Sequence, residues 1–484
     1  MMKKIVSVAV MLLMGGMMAF AQTATMKTEP LGKALADDFS QKFIGATDRG
    51  VVLLEYSGFA YLHTNQALVY YDYAQNELAR VDMGKTKETA CYGGFVNGDN
   101  VDMLLMTYDD NGMKVWRERR DLSLREKGER LTLADFKGQK GDDFFFAMGT
   151  SADQQLLAGV FVASRKTQEP EMWVGLYSRE LNEYWKMKVS TMPFTQVLVT
   201  DSGEVVLSYV NEKGLCSFMV VDGENENHYG FRLGDDAKIC ETSVIRYGDG
   251  KILMAAAVQE ERRSVMPAKE AGPNIDRIDI YCYDIESGKT SVVKHTFSDE
   301  ETARLRNDKD KSGLKHHWVP FGNLQQSIAD GTGAYVVIDQ QWTVKTDGMP
   351  SDFNRVGMMV MRVSADGKVE WTRTWRMENN VHPNLRGIMG YGWQPCSDGI
   401  MLAVATNAKN VDAPEEKSVK PFKPTRQNAM LSVIKLKANG KASRKDFSID
   451  DQGLIGAAHC LGGDKYLLML SGRRKGQFAH LELK

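Results

Sequence analysis

The sequence predicts an all-β protein, a single β-propeller of seven or eight four-stranded antiparallel blades. The first observation is a tight Gly/Asp turn followed by a strand, which recurs at 197–210, 244–258 and 391–406. The second is a strand, an Asn/Asp/Gly turn and another strand, often with Trp, as at 103–119 and 359–375. A pattern that returns along the whole chain decides the architecture before any local preference does.

Each repeat is described as four strands, A to D, with one tight turn between strands A and B and another between strands C and D. The A–B turns are assigned to 151–155, 200–204, 247–251, 330–334, 396–400 and 461–465. The C–D turns are assigned to 74–77, 108–113, 178–183, 222–227, 285–289, 364–368 and 437–441. Asp-Gly and Asn-Gly pairs tolerate the positive φ of a twisted hairpin turn. The runs between them are rich in β-branched and aromatic residues, which favour strands.

The number of units is close to eight. They start near residues 51, 89, 140, 193, 238, 322, 386 and 454, and the last unit stops at its third strand. An incomplete last blade is commonly closed by an N-terminal strand, and residues 50–57 are the candidate here. If that strand is used for closure, seven blades are as well supported as eight. A β-sandwich is the alternative, but sandwiches rarely repeat one hairpin this many times.

The hairpin at 359–375 resembles the strand–Asp-Gly-Lys–Trp–strand units of quinoprotein-like and related secreted propellers. Together with the N-terminal pattern described next, the blade style is similar to that of secreted propellers from Bacteroidetes-type bacteria that have no assigned activity. The resemblance covers the C–D hairpins. It implies the fold and no cofactor.

The N-terminus has the pattern of a secretory signal peptide. Lys3 and Lys4 precede an apolar run, and Ala19-Phe20-Ala21 provides small residues for cleavage before Gln22. The alternative is an uncleaved anchor, but the run is shorter than the roughly 20 residues that span a bilayer. We therefore expect a signal peptide at 1–21, an N-terminal segment at 22–49 with a turn or two of helix within 28–48, and the propeller domain at 50–484. The mature protein is expected to be secreted, periplasmic or on the cell surface.

The charge balance argues against a nucleic-acid partner. The chain has 61 Lys and Arg residues against 63 Asp and Glu, and removal of Lys3 and Lys4 leaves 59 against 63, a formal charge of −4. A protein that binds nucleic acid needs a basic face to neutralise phosphates. This charge balance does not distinguish a protein partner from a glycan partner.

The cysteines give no metal or redox motif. The six of them are spread along the chain without a CxxC pair or metal-ligand spacing: Cys91, Cys216, Cys240, Cys282, Cys396 and Cys460. Most lie in strand-like runs, where a free cysteine behaves as a small buried hydrophobe. Buried thiols are favoured, and one or two disulfides are the alternative.

Long polar segments are assigned to one end of the strands and short turns to the other. The B–C connections are 164–172, 259–276, 343–354 and 407–428, and the D–A connections are 120–142, 298–321 and 376–387. Strand parity places these two classes on one face and the Gly/Asp turns on the other. Loops of this length are usually functional or disordered. The elaborated face is therefore the predicted binding face, with tolerated surface insertion as the alternative.

A cluster of aromatic and polar residues on these connections is the candidate ligand site. Its members are His316, His317, Trp318, Trp342, His382, Asn384, Arg386 and Trp393. Aromatic planes beside hydrogen-bonding side chains are suited to stacking on a sugar or peptide. The alternative is that the Trp side chains pack beneath the loops and the His side chains are solvated.

Catalytic and metal motifs are absent or incomplete in the sequence. The segment 308–313 begins like a calcium loop, but Val319 stands where a bidentate acid is required. There is no HExxH zinc motif and no GxSxG elbow. The segment 364–371 is close to a sialidase Asp box but lacks one residue. No catalytic residue, metal or cofactor is assigned.

The sequence therefore favours an extracytoplasmic binding or scaffolding propeller that uses the face with the long loops. One alternative is a secreted hydrolase or lyase that acts on glycan or peptide at the same face. Such an enzyme needs two carboxylates, or a histidine beside a carboxylate, at the mouth of the channel. The other alternative is a purely structural protein of the cell envelope.

Overall fold

The computed structural model shows a β-propeller. It describes residues 24–28, 40–57, 65–74, 76–85, 89–109, 112–138, 142–165, 169–233, 238–259, 270–271, 274–305, 319–320, 323–324, 328–330, 332–346, 349–381, 391–407, 409, 429–448, 454–462, 465–471 and 476–483. Within these ranges nearly all regular structure is antiparallel strand, with one short α-helix. No helix there is long and apolar enough to cross a membrane.

The strands follow one another sheet by sheet. After β1 (Ala24–Thr28), sheet one has β2 (Ser40–Ala46), β3 (Gly50–Ser57), β4 (Asn65–Asp72) and β5 (Glu77–Lys85). Sheet two has β6 (Ala90–Asn97), β7 (Asn100–Asp109), β8 (Gly112–Asp121) and β9 (Leu131–Lys137). Sheet three has β10 (Asp143–Thr150), β11 (Leu156–Ser164), β12 (Glu171–Ser178) and β13 (Glu183–Val189). Sheet four has β14 (Gln196–Val199), β15 (Val205–Val210), β16 (Leu215–Val221) and β17 (Glu226–Arg232).

The second half is larger and carries additional short elements. Sheet five starts with β18 (Lys238–Gly248) and β19 (Lys251–Gln259); after β20 (Glu270–Ala271) and β21 (Asn274–Ile275) it ends with β22 (Arg277–Asp284) and β23 (Thr290–Thr296). Then come α1 (Asp299–Leu305) and β24 (Val319–Pro320), which pairs with β21. Sheet six has β25 (Asn323–Leu324), β26 (Ile328–Asp330), β27 (Gly333–Thr346), β28 (Met349–Ser364) and β29 (Val369–Val381). Sheet seven has β30 (Tyr391–Cys396), β31 (Gly399–Asn407), β32 (Ala429–Lys437) and β33 (Ala442–Ser448); sheet eight has β34 (Leu454–Gly462), β35 (Lys465–Ser471) and β36 (Gly476–Leu483).

Seven of these sheets are four-stranded antiparallel blades, and sheet six has six strands. In sheet six, β26, β25 and β20 pair in succession along one edge of β27. Because β20 comes from the connection inside sheet five, it links two neighbouring sheets. The prediction of a propeller with four-stranded antiparallel blades is confirmed.

The ring is closed by β1, whose residues pair antiparallel with β36 from Ala24 opposite Leu483 to Thr28 opposite Ala479. The prediction that 50–57 closes the ring is wrong, because this segment is β3, the second strand of sheet one. Val51, Val52, Leu53 and Leu54 are all fully buried. Four consecutive apolar residues suit a strand that is covered on both faces, as β3 is. Residues 40–46 form a strand, and the rest of the predicted helical segment lies largely outside the described residues.

The two ends of the strands are distinguished by their connections. The turn end carries the connections from first to second and from third to fourth strands, such as 200–204 and 364–368. The loop end carries those from second to third strands and from sheet to sheet, such as 259–276 and 407–428. The alternation follows from antiparallel pairing.

Two predicted connections are different in the structure. In sheet two the turn at 108–113 joins the second strand to the third, so it lies at the loop end, and 120–142 is not a single sheet-to-sheet connection because it contains β9. The segment 343–354 is not a loop, because β27 and β28 stay paired up to Thr346 opposite Met349. The intervening dipeptide is Asp-Gly, which favours a two-residue hairpin turn.

Apolar faces of neighbouring sheets form the core. Val206, Phe218 and Met254, for example, belong to one buried cluster between sheets four and five. First strands approach closely through glycine: a Cβ on Gly149 of β10 would lie 2.9 Å from Val197 Cγ1 of β14. The absence of a side chain at Gly149 therefore permits the close approach of two first strands near the propeller axis.

Five cysteines carry no disulfide: Cys91, Cys216, Cys240, Cys282 and Cys396. Three of them, Cys91, Cys216 and Cys282, are buried. Burial raises the pKa of the Cys91 and Cys216 thiols to about 12 in each case. The favoured interpretation as buried thiols is confirmed for Cys91, Cys216 and Cys282, whereas Cys240 and Cys396 are only partly buried.

Candidate functional site

A cleft between sheets four and five opens at the loop end. Its volume is about 980 Å³. Sixteen residues line it: Met148, Thr195, Gln196, Val197, Val210, Asn211, Glu212, Lys213, Gly214, Leu233, Ile239, Cys240, Glu241, Thr242, Ser243 and Leu324. Half of them have polar side chains other than thiol, and they come from sheets three to six.

The cleft exists because sheet four is small. Its first strand, β14, has 4 residues and its second, β15, has 6, whereas β18 of sheet five has 11. The connection between β15 and β16 is the tight turn 211–214, where sheets five and seven carry long segments. The shorter sheet leaves the wall of sheet five exposed above it.

A β-bulge places the central carboxyl of the cleft. The pairing of β18 with β19 shifts by one residue between Ile239 and Glu241, which leaves Cys240 as the extra residue. Bulges redirect side chains and occur frequently beside functional sites. Here the bulge precedes Glu241, a half-buried residue that lines the cleft.

Glu241 has an uncommon environment for a carboxylate. Its Oε2 accepts a hydrogen bond of 2.9 Å from the backbone N–H of Leu324 in sheet six. Burial raises the pKa of Glu241, and the hydrogen bond from Leu324 lowers it by less, so the net shift is upward. The side chain therefore favours its neutral, proton-carrying form more than an exposed glutamate does.

The side chain of Gln196 is part of the wall of the cleft, and its amide is bonded to the neighbouring strand. Its Oε1 accepts from Val244 N at 2.7 Å, and its Nε2 donates to Val244 O at 3.0 Å and to Ser243 Oγ at 3.3 Å. This amide joins β14 to β18 across the sheet boundary. Because these contacts use its oxygen and its amide group, Gln196 fixes the width of the cleft.

The turn 211–214 forms the outer rim. Asn211 Oδ1 accepts from Lys213 N at 2.9 Å and from Leu215 N at 3.0 Å, which holds the turn in shape. Glu212 and Lys213 project from it and are exposed. The rim therefore offers one negative and one positive side chain next to each other.

Aromatic side chains continue from the cleft along the loop end. Phe194 precedes Thr195 of the cleft wall, and its ring centroid lies 5.7 Å from that of Phe145. Phe144 forms a second pair with Tyr108 at 6.0 Å. Phe145 is 54% exposed and Tyr108 is 45% exposed, which is high for large apolar side chains. We call Tyr108, Phe144, Phe145 and Phe194 the aromatic track.

The residues predicted from sequence lie elsewhere or outside the described part. His316, His317, Trp318, His382, Asn384 and Arg386 all fall outside the described residues. Trp342 is in β27 opposite Asn354, and its side chain is outside the description. Trp393 is half-buried against the apolar cluster of sheets six and seven, which agrees with the alternative that this Trp is structural. The predicted cluster stays a prediction.

Two histidine–carboxylate pairs occur in the described residues, and neither lines the cleft. His295 Nε2 lies 3.2 Å from Glu301 Oε1, and this pair fixes α1 against the sheets. His228 contacts Glu226 on the outer strand β17. Within the same ranges no group of three or more His, Cys, Asp or Glu side chains is arranged to hold a metal ion.

Glu241 and the aromatic track were not found by sequence reasoning. The available signal was the tight turn 211–214 in a unit whose neighbours carry long insertions, because a short blade between long ones leaves a cleft. Glu241 itself lies in KICETSVIRY, a strand without a functional motif. Its position depends on the bulge at Cys240, which no pattern in the sequence indicates.

Comparisons with known proteins give remote structural likenesses only. No protein-family model matches the chain, and no curated protein matches its sequence. Among solved structures, it is similar to the WD40 domain of SCAP from fission yeast (9% identity, TM-score 0.41, 95% of this chain and 97% of that one). It is also similar to the β-propeller domain of the Trilobed protease from Pyrococcus furiosus (11%, 0.36, 82% and 98%) and to the Dos1 propeller (8%, 0.35, 94% and 95%). Likenesses at this level carry no argument about fold or function.

Proposed function

We propose that the protein is an extracytoplasmic binding propeller whose ligand occupies the cleft between sheets four and five at the loop end. The observation that carries the proposal is the cleft itself, about 980 Å³ in volume and lined by convergent polar side chains. A concave site with a few fixed polar groups is the usual form of a ligand site. The cleft belongs to the face that the sequence favours for binding.

The arrangement of the cleft supports binding more than catalysis. Its walls are rigid, because Gln196 and Asn211 are held by backbone hydrogen bonds. Glu241 is half-buried, whereas Glu212 is exposed on the rim, so the described cleft has no pair of matched buried carboxylates. A rigid wall with one half-buried carboxyl can recognise a ligand, whereas acid–base chemistry usually needs a second matched group.

The cleft is tested by one charge reversal at each end of sheet four. Glu212→Arg places a long cation at the cleft, and Glu224→Arg makes the same change in the turn 222–225 at the turn end. Both glutamates are exposed, so neither change is expected to disturb folding. Thermal unfolding is measured with a panel of hexasaccharides and unstructured peptides, because a ligand of the native state raises the Tm.

We expect at least one probe to raise the Tm of the wild-type protein and of Glu224→Arg, and to lose this effect in Glu212→Arg. Equal responses of the two variants would place binding away from the cleft. A panel in which no probe raises the Tm would also count against the proposal.

Export is proposed from the N-terminal sequence pattern. We expect the protein produced from the full coding sequence to be recovered outside the cytoplasm with Gln22 as its first residue, which intact-mass spectrometry measures. Recovery of the full-length chain from the cytoplasm would contradict this part of the proposal. The binding test above uses purified protein and does not depend on it.

A further inference from the structure

We propose that the ligand of the cleft is an extended, uncharged oligosaccharide that continues from the cleft onto the aromatic track. This inference rests on the proposed function, because it names the class of ligand for the same site. It is carried by the continuity of the cleft with Phe194 and Phe145, by the exposure of Phe145, and by the balance of charge in the cleft.

The cleft and the track are parts of one surface. Phe194 and Thr195 are consecutive, and Thr195 lines the cleft. Phe145 lies in β10, three residues before Met148, which also lines the cleft. Tyr108 lies at the loop end of β7, because the turn that follows it joins second and third strands. The cleft residues, Phe194 and Phe145 therefore bring sheets three to five together in one surface.

Two rings of the track, Phe145 and Tyr108, are available for contact. Phe145 is 54% exposed, although a phenylalanine in a sheet usually turns its ring into the core. Its neighbour Phe194 is tilted by 60° against it, which gives two ring planes of different orientation. A pyranose ring has an apolar face of C–H groups and a rim of hydroxyls. The face suits a ring such as Phe145, and aromatic contacts of this kind exclude water from a large area.

The polar wall suits the hydroxyl rim. Thr195 and Thr242 offer hydroxyl groups, and Glu241 offers a carboxyl group beside them. Sugar hydroxyls both donate and accept hydrogen bonds, so they match side chains that do the same.

The charge of the cleft is balanced rather than of one sign. Glu212 and Lys213 are adjacent on the rim. Burial raises the pKa of Glu241, so its charge is less favoured than that of an exposed carboxylate. A ligand with a strong net charge gains little from such a site, whereas an uncharged one avoids the cost of desolvating an ion.

Isothermal titration calorimetry tests the inference with the purified full-length mature protein. The neutral probes are cellohexaose, xylohexaose, mannohexaose and chitohexaose. The comparators are an oligogalacturonate of the same length and a proline-rich peptide, since extended proline-rich segments also bind to aromatic surfaces. The variants are Phe145→Ala in the track and Tyr184→Ala, which removes a 63% exposed aromatic from the turn end of the same sheet.

We expect a neutral hexasaccharide to bind, Phe145→Ala to weaken its binding by roughly 10-fold, and Tyr184→Ala to leave it unchanged. The corresponding disaccharide is expected to bind more weakly, because it cannot reach from the cleft to the track. Binding of the peptide or the oligogalacturonate alone, with an affinity that Glu212→Arg changes and Glu224→Arg does not, would overturn the inference and leave the proposed function intact. Neutral binding that is insensitive to Phe145→Ala would overturn it too, and binding of no probe would count against the inference and the proposed function together.

Discussion

The indole of Trp185, on the outer strand of sheet three, lies against the turn glycine of sheet four. A Cβ on Gly223 would come within 2.7 Å of Trp185 Cγ, and Gly223 has φ +96°. The same contact recurs between Trp371 and Gly440, where a Cβ would lie 3.0 Å from the ring. The Nε1–H group of Trp371 also donates a hydrogen bond to Ala438 O at 2.8 Å. These contacts explain two features of the repeat, the turn glycine and the tryptophan.

The first prediction compares two turn glycines. Gly223→Ala and Gly250→Ala both place a side chain at positive φ, but nothing lies within 4 Å of the Cβ position at Gly250. The extra loss of stability in Gly223→Ala therefore measures the collision with Trp185. We expect it to be about 1–3 kcal/mol in the free energy of unfolding by urea. Equal losses would show that the backbone conformation alone requires glycine.

Gly367 follows the same rule at the turn of sheet six. Its φ is +84°, as expected for the hairpin turn, and a Cβ there would lie 3.1 Å from Cys282 Cβ. A substitution at Gly367 is therefore strained by its backbone and by its neighbour. It lies at the turn end, on the opposite side of the sheets from the cleft.

The second prediction concerns the carboxyl of Glu241. Because burial raises its folded-state pKa, the folded protein holds this proton more tightly than the unfolded chain does. Ionising this half-buried carboxyl therefore lowers the stability of the folded state. The loss of stability is absent below the unfolded-state pKa, grows as pH rises and is complete above the folded-state pKa. Glu241→Gln removes this loss and keeps an oxygen that accepts from Leu324 N.

We therefore expect Glu241→Gln to be more stable than the wild-type protein near neutral pH, with the difference disappearing in acid. Thermal unfolding of both proteins across this pH range measures it. Glu224→Gln, at an exposed position, is the control and should change little. A Glu241→Gln variant that is less stable at neutral pH would show that a charged contact holds this carboxylate.

At the scale of elements, α1 begins with a capping box. Ser298 Oγ accepts from Glu301 N at 3.2 Å, and Glu301 Oε2 accepts from Ser298 N at 2.9 Å. Thr372 Oγ1 of β29 donates to Glu301 Oε1 at 2.6 Å, and His295 of β23 contacts the same oxygen at 3.2 Å. One carboxylate thus caps the helix and joins it to sheets five and six.

The third prediction is the acid sensitivity of this junction. Burial raises the pKa of Glu301, but the hydrogen bonds from His295, Thr372 and Ser298 outweigh it and lower the pKa to about 2. The stabilisation is therefore complete above the unfolded-state value of 4.5 and is lost as pH falls toward 2. Glu301→Gln lacks the carboxylate and therefore its stabilisation at every pH. The free energy of unfolding of this variant should consequently depend less on pH between 4.5 and 2 than that of the wild-type protein.

Urea unfolding of the wild-type protein and of Glu301→Gln at several pH values gives the measurement. Ser298→Ala is the companion variant, which removes the cap and is expected to cost about 1 kcal/mol. Parallel pH profiles of the wild-type protein and Glu301→Gln would contradict the assigned role of the carboxylate.

For the whole molecule, the closure by β1 decides how the ring is held together. The first and last described strands pair over five residues, so β1 supplies the outer strand of sheet eight. In a ring of sheets each unit is stabilised by its neighbours, and the junction formed by the two ends depends on non-local pairing.

The fourth prediction is that removal of β1 weakens the ring. A chain that begins at residue 29 should unfold at a lower temperature and with a broader transition than one that begins at Gln22, because sheet eight loses its outer strand. Differential scanning calorimetry of the two chains compares them. Identical transitions would show that β1 contributes nothing to closure.

The sequence by itself determined the all-β class, the repeat and the order of almost all strands. Turn chemistry is local: an Asp-Gly or Asn-Gly pair between two strand-forming runs fixes a hairpin wherever it occurs. This is why the turns at 200–204 and 437–441 were placed correctly from the residues alone. The same local reasoning failed at 108–113, because a turn pair does not state which two of the four strands it joins.

The tertiary structure decided the closing strand, the bulge and the cleft. Residues 24–28 carry no distinctive pattern, and their partner lies at the other end of the chain. The cleft depends on the difference in length between sheets four and five, and the position of Glu241 depends on a one-residue shift at Cys240. Each of these features arises from contacts between segments that are distant in sequence or from the relative size of neighbouring sheets. Local propensity and periodicity describe a strand and its turn, so they leave such non-local relations undetermined.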